Sequence, residues 1–208
     1  VDVGGGTTDI VVFKKGTIDY TSVIPVGGFQ FTNDICAIYN TGYHDAEEAK
    51  LKYANTDPAS VDMREELRLP VINSNSFTSV YRRDLCQLVR ERTLELIRLV
   101  DLKLQEAGIR QDTNAQVVMT GGASTLPGFF DMAQQFIPNC SIRMGAPDGL
   151  SGMAHELEAP AYSTGVGILL YGYRQEMVAD RVAAGHVRKA GVSRARGFIG
   201  KIKGVFNS

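Results

Sequence analysis

The sequence predicts an α/β fold. Three observations carry that prediction: a β-branched hairpin running into a helical pattern, a second short strand followed by another helix, and a glycine cluster beside the strand in each unit. With 208 residues, 44% hydrophobic and 22% charged, the chain can bury a core as one large domain or two small ones.

Each element follows in order. Ile10 to Phe13 is β-branched and aromatic, Lys14-Lys15-Gly16 is a turn, and Thr17 to Val26 resumes strand composition with Ile18, Tyr20 and Val23, giving a hairpin. Gly27-Gly28 breaks the strand, and Phe31, Ile35 and Ile38 lie at helical spacing over Phe29 to Tyr39. Asp45 to Tyr53, rich in Ala, Glu and Lys, predicts a second helix. Residues 54–76 read as loop, broken at Asp57-Pro58, with Leu67 to Ile72 as a candidate strand. From Tyr81 to Ala107 the residues Leu85, Leu88, Val89, Leu96, Leu99, Val100 and Leu104 recur at threes and fours, and Gly108 follows as a C-cap should. Gln116 to Met119 is a strand leading into Thr120-Gly121-Gly122-Ala123-Ser124, with a helix from about Pro127. Ser141 to Met144 is another strand and Ala161 to Tyr171 a small-residue helix. Past Gln175 apolar periodicity is lost, which predicts a linker over 175–193.

Composition narrows the class. Cys36, Cys86 and Cys140 are odd in number and 50 and 54 residues apart, so reduced thiols in a cytoplasmic protein are expected rather than a metal pair or disulfide framework. No apolar run approaches the ~20 residues that span a bilayer, and no charged-then-apolar leader stands at the N-terminus, so the expectation is a chain neither secreted nor transmembrane. The net charge of −1 conceals an asymmetry. Residues 181–208 hold seven Lys or Arg and no acid, against 15 basic and 23 acidic residues before them, which points to an anionic partner for the tail. His44, His155 and His186 make neither a triad nor metal spacing with the cysteines.

The glycine clusters at 4–6 and 121–122 are the candidate chemistry. A phosphate needs backbone N–H donors at close range, and glycine permits both the approach and the positive φ such turns use. Thr7 and Thr8 add hydroxyls, and Asp2 or Asp9 could hold water on a magnesium ion. The pattern is neither a P-loop nor GxGxxG ahead of a helix. Taken alone, the first cluster also fits a plain tight hairpin and the second a turn leading into a helix.

Together, VDVGGGTTDIVVFKKG, IPVGGFQFTNDI, AEEAKLKYA, VVMTGGASTLPG and PAYSTGVGILLYG, with an amphipathic C-terminus, resemble the second half of the actin-like (ribonuclease H-like) ATPases and, within them, the FtsA family of bacterial cell division. The resemblance implies ATP and Mg²⁺ as cofactors. It implies that Gly4, Gly5, Gly6, Thr7 and Thr8 form the second phosphate hairpin, with Asp2 near the metal. It puts Glu47 at the ribose, Lys50 near the adenine, and Gly121, Gly122, Ala123 and Ser124 around base and sugar. Without it, Glu47 and Lys50 are an i,i+3 pair on a solvated helix, worth a few tenths of a kcal/mol. The family also has an N-terminal half with a first phosphate loop and a partner-binding subdomain, neither of which is in this sequence. A fragment, a split gene or an incomplete frame is therefore expected, and ATP hydrolysis by this half alone is not.

The implied organisation is a core over 1–44 and 111–174, a helical or α+β insert subdomain over 45–110, the linker, and an amphipathic helix over 194–208. In that helix Phe198, Ile199, Ile202, Val205 and Phe206 fall within an arc of about 120°, with Arg194, Arg196, Lys201 and Lys203 outside it. A basic amphipathic helix behind a linker suits the interface of an anionic membrane. A terminal helix docked on the domain also fits, whereas no nucleic-acid motif or stacking surface accompanies the tail. The resemblance favours a peripheral protein on the cytoplasmic face of the membrane at the division site. It further implies self-association into filaments and binding of the C-terminal peptide of the tubulin-like protein FtsZ by the insert. Arg82, Arg83, Arg90 and Arg92 are candidates to meet that acidic peptide, though charges on a helix face also serve solvation. Other readings within the superfamily are an MreB-like or pilus-assembly protein, a chaperone, or half of a sugar kinase.

Overall fold

The computed structural model describes residues 1–109, 115–148, 152 and 154–186, with 177–186 described by backbone. Strands β1 (Asp2–Val3), β2 (Thr8–Lys14) and β3 (Thr17–Ile24) form an antiparallel sheet in that order. On β2 the inward positions Thr8, Ile10 and Val12 alternate with outward Asp9, Val11 and Phe13, the two-residue period of a strand packed on one face. Helices α1 (Gly28–Tyr39) and α2 (Tyr43–Tyr53) follow, then the antiparallel pair β4 (Glu66–Pro70) and β5 (Phe77–Tyr81). The long α3 (Arg82–Glu106) leads to β6 (Gln116–Met119), a 3-10 turn (Gly122–Thr125), α4 (Phe129–Phe136) and β7 (Ser141–Met144).

Strands β6 and β7 pair in parallel, and β1 joins them to the hairpin. Asp2 bridges Thr120 in parallel, Val3 N donates to Thr120 O at 2.8 Å, and Thr120 N donates to Val1 O at 2.8 Å. One face of this combined sheet is buried under α1, α3 and α4. Val3, Ile10, Val12, Val117, Met119 and Ile142 from strands share a cluster with Ile35, Leu85, Val89, Leu96, Val100, Phe129 and Met132 from helices. At roughly 25 cal/mol per Å² of apolar area, such burial is the main stabilising term of the unit.

Residues 1–166 form one compact unit. The buried stripe of α3 belongs to its main core. What remains apart is small: Ala49, Leu69 and Val80, joining α2, β4 and β5, make a second cluster. Helix α5 (Ser163–His186) begins in the first unit and continues in a second. It runs well past the expected Tyr171, so residues 175–186 of the expected linker are helical. The cysteines are free thiols.

Candidate functional site

The β1–β2 turn is closed by Gly4 N donating to Thr7 O at 2.9 Å, which leaves Gly5, Gly6 and Thr7 exposed at its tip. The first turn of α1 is clamped onto this tip: Gly28 N donates to Gly4 O at 2.9 Å and Phe29 N to Gly5 O at 2.7 Å. That approach requires a residue without a side chain at Gly27, where a Cβ would lie 2.6 Å from Gly4 O and 2.7 Å from Gly5 O. The Phe29 ring covers Gly5, meets Tyr43 edge-on at 6.4 Å between centroids, and is 54% exposed.

Helix α2 presents Glu47 and Lys50 to the same place. The Lys50 ammonium is buried and all three of its donors are used, on Gly28 O at 3.1 Å, Thr32 Oγ1 at 3.0 Å and Glu47 Oε2 at 2.8 Å. Thr32 Oγ1 also donates to Glu47 Oε2. Burial works against the Glu47 carboxylate, but the hydrogen bonds from Lys50 and Thr32 and the ammonium charge outweigh it and hold its pKa below the ordinary value. The pair is therefore not a solvated i,i+3 contact. It braces α2 against the start of α1.

Opposite stands the turn after β6. Gly121 has φ +89, in the region that favours glycine, and a Cβ there would lie 2.2 Å from Asp2 Oδ1 and 2.5 Å from Val3 O. Its N–H donates to Pro160 O at 3.1 Å, and Thr120 Oγ1 lies 2.6 Å from Ser163 Oγ, tying the turn to the start of α5.

These elements enclose a cleft of about 420 Å³, within the range of small-molecule sites. Of the residues expected at the site, Gly4, Gly5, Glu47, Lys50, Gly122 and Ala123 line it. Gly6 and Thr7 lie at the exposed tip beside it. Thr8 is buried and its hydroxyl donates to Val26 O at 2.8 Å, while the buried Ser124 hydroxyl donates to Gly121 O at 2.7 Å, so both serve the backbone. Gly121 supports the turn from behind. The cleft also contains residues the sequence did not single out, chiefly Phe29, Phe31, Leu51 and Leu126. The signal for Phe29 was present: an aromatic side chain directly after the Gly27-Gly28 break.

Asp2 does not line this cleft; it lies next to Gly121 and borders a separate cavity with Asp9 and Thr164. Asp2 and Asp9 are cross-strand partners, which places two carboxylates on one face, a repulsive arrangement on its own. Thr164 Oγ1 donates to Asp2 and Thr7 Oγ1 to Asp9 Oδ2 at 2.9 Å.

Three of the four candidate arginines are engaged inside the molecule. Arg82 Nε donates to Tyr53 O at 2.9 Å and Nη1 to Glu65 at 2.8 Å. Arg90 Nη1 donates to Thr56 O at 2.9 Å. Arg92 grips Asp34 through Nε at 2.6 Å and Nη2 at 2.8 Å, pinning α3 to α1. Arg83 is exposed, and its Nη1 meets Met63 Sδ at 3.1 Å. The fork geometry at Arg92 predicts that Arg92→Lys loses nearly as much stability as Arg92→Ala, about 1 kcal/mol, because an ammonium cannot make both bonds. Urea midpoints of the two variants check this, and a lysine variant equal to the parent would refute it.

The membrane residues Phe198, Ile199, Lys201, Ile202, Lys203, Val205 and Phe206 lie outside the described residues. Among the described residues, no helix is long and apolar enough to cross a membrane.

The family model "Cell division protein FtsA" matches residues 1–167. The FtsA of Pseudomonas aeruginosa is 36% identical over 176 residues, covering 85% of this chain and 42% of that protein. The FtsA of Escherichia coli is 34% identical over 179 residues, covering 83% and 42%. The chain thus spans under half the length of these relatives. Among solved structures, MreB 5 of Spiroplasma citri bound to AMPPNP superposes with a TM-score of 0.58 at 18% identity, covering 86% of this chain and 54% of that one. A PilM–PilN type IV pilus biogenesis complex gives 0.55 at 18%, covering 82% and 44%. Those two likenesses concern the fold, which is that of the actin-like ATPases. Sequence similarity then decides among the branches that share it: this chain belongs to the FtsA family of cell-division proteins.

Proposed function

We propose that this chain is the part of an FtsA-type adaptor that carries one wall of an ATP site, the FtsZ-binding region and a membrane-targeting tail. The observation that supports the nucleotide reading is the meeting of the hairpin tip, the Glu47–Lys50 brace and the Gly122–Ala123 turn around one cleft. The residues fit such a ligand. The exposed Gly5 and Gly6 offer backbone amides without side chains in the way, Glu47 can accept from ribose hydroxyls, and Ala123 with Leu51 and Leu126 offers an apolar wall to a base. Lys50 enters this reading as the brace of the wall, since its donors are already taken.

Mg²⁺ would be held through water by Asp2, with Asp9 beside it, where it would relieve the repulsion between the two carboxylates. Hydrolysis is not part of the proposal. In MreB 5, whose solved structure is bound to AMPPNP, the same fold carries the nucleotide analogue.

The tail is the membrane end of the tether, with Phe198, Ile199, Ile202, Val205 and Phe206 in the interface and Lys201 and Lys203 among anionic head groups. Gly197, Gly200 and Gly204 each disfavour a helix in water by roughly 1 kcal/mol against alanine. The FtsZ peptide would meet α3 and its surroundings, where Arg83 is the exposed one of the four candidate arginines. Self-association controlled by ATP in the completed cleft and action at the division site belong to the same reading.

Flotation tests the tether. Labelled FtsZ C-terminal peptide is expected to float with anionic liposomes in the presence of the intact chain and to stay behind when the chain is cut after Ser193. If the chain floats without the peptide, the tail anchors something else.

A further inference from the structure

Two walls of the cleft meet at one joint. Helix α2 carries the first, with Glu47, Lys50 and Leu51, and the turn after β6 carries the second, from Gly122 to Pro127. Both run on into the same contact. Three residues past the end of α2, Thr56 N donates to Pro127 O at 2.9 Å. The Thr56 side chain sits against Gly128, whose φ is +81 and where a Cβ would lie 2.1 Å from Thr56 Oγ1 and 3.4 Å from Asn55 Oδ1. Thr56 is 1% exposed, so the joint is sealed from water.

Helix α3 holds this joint from behind. Arg82 Nε donates to Tyr53 O and Arg90 Nη1 to Thr56 O, each at 2.9 Å, so guanidinium groups take the carbonyls at both ends of the segment 53–56. Thr56 thus gives its N–H to one wall of the cleft and its C=O to α3. A carbonyl of a buried residue that loses its donor is costly. The segment relieves that cost by moving Thr56, and the N–H bonded to Pro127 moves with it.

We propose that Arg90 is a positioning residue for the base of the bound nucleotide. Through Thr56 it fixes how far Leu126 and Pro127 stand from Leu51, and so the width of the apolar slot that a flat ring enters. The proposal rests on the nucleotide reading of the cleft, and it gives Arg90 a task inside the molecule in place of an acidic partner. The phosphate end is built differently. Gly5 and Gly6 stand at the β1–β2 tip, which Gly28 and Phe29 of α1 clamp through Gly4 O and Gly5 O. Loss of Arg90 therefore acts on the base end and spares the phosphate end.

Amide exchange and ligand titration of the full chain test it, with Arg90→Met and Arg90→Lys set against the parent. Arg90→Met is expected to speed exchange of the Thr56 amide at least tenfold and to leave Leu96 and Ile97 unchanged. Arg90→Lys, which still donates to a carbonyl, is expected to restore most of that protection. With adenosine as the probe, read at the Ala123 and Leu126 amides, Arg90→Met is expected to bind at least fivefold more weakly than the parent. With tripolyphosphate, read at the Gly5 and Gly6 amides, it is expected to stay within twofold. An unchanged Thr56 rate overturns the proposal, and so does a Thr56 amide that opens while adenosine binds as before. Equal weakening of both probes, or faster exchange at Leu96 and Ile97 as well, also overturns it, because either reports general loosening. If neither probe shifts the parent, the nucleotide reading itself fails and the base role falls with it, while the Thr56 rate still tells whether Arg90 holds the joint.

Discussion

Gly121→Ala is expected to lower the unfolding midpoint by about 10 °C, whereas Gly122→Ala, one residue on, is expected to shift it by no more than about 2 °C. Two costs combine at Gly121. Its φ of +89 strains any side chain, by roughly 1–3 kcal/mol. Its new Cβ would also meet Val3 O at 2.5 Å, and that carbonyl belongs to a strand held on both sides by Asp9 and Thr120. Overpacking against backbone adds roughly 1–3 kcal/mol. Asp2, at 2.2 Å, cannot simply swing away, because Thr164 holds its carboxylate. At Gly122 the same Cβ would meet only the Ala161 methyl at 3.6 Å, an ordinary contact. Thermal melts of the two variants settle the matter, and equal midpoints would mean that the turn adapts and that β1 is not clamped as described.

The contrast between these glycines also shows how far the sequence could be read. Elements with strong local signals came out nearly in place: the hairpin, α3 from its leucine and valine spacing, and β6 and β7 at their observed bounds. Strand β5 was missed because only Val80 of its five residues is buried, so no alternation stands out in Phe-Thr-Ser-Val-Tyr. The length of α5 was missed because residues 175–186 carry helix formers without an apolar stripe, and propensity alone gave no period to follow. In the cleft, residue types were legible where backbone chemistry demands them, as at Gly4, Gly5, Gly122 and Ala123. What Lys50 does was not. Its partners Gly28 and Thr32 lie 22 and 18 residues away on another helix, and nothing in Ala-Glu-Glu-Ala-Lys tells a solvated pair from a buried one.

That brace yields the other large effect. Lys50→Met keeps the aliphatic stem but removes three hydrogen bonds and leaves the Glu47 carboxylate with Thr32 alone, so a loss of about 3 kcal/mol is expected, the cost of breaking a largely buried ion pair. Glu47→Gln should cost less, because Lys50 keeps Gly28 O and Thr32 as acceptors, and the double variant should cost less than the two single losses added together. The pH dependence has a definite sign. In the parent the Glu47 pKa lies below the usual carboxylate value of about 4.3, so its contribution is present above that value and fades as pH falls through the lowered one. Without Lys50, burial is the dominant influence left and raises the Glu47 pKa, so protonation in acid relieves the variant while it weakens the parent. The stability gap between parent and Lys50→Met is therefore expected to narrow as pH drops from 7 towards about 4, as read from urea midpoints across that range. A gap that stays constant would mean that the ammonium stabilises the cleft through Gly28 and Thr32 alone. A gap that vanishes already at pH 7 would return Lys50 to the role of a solvated side chain, free to reach a ligand.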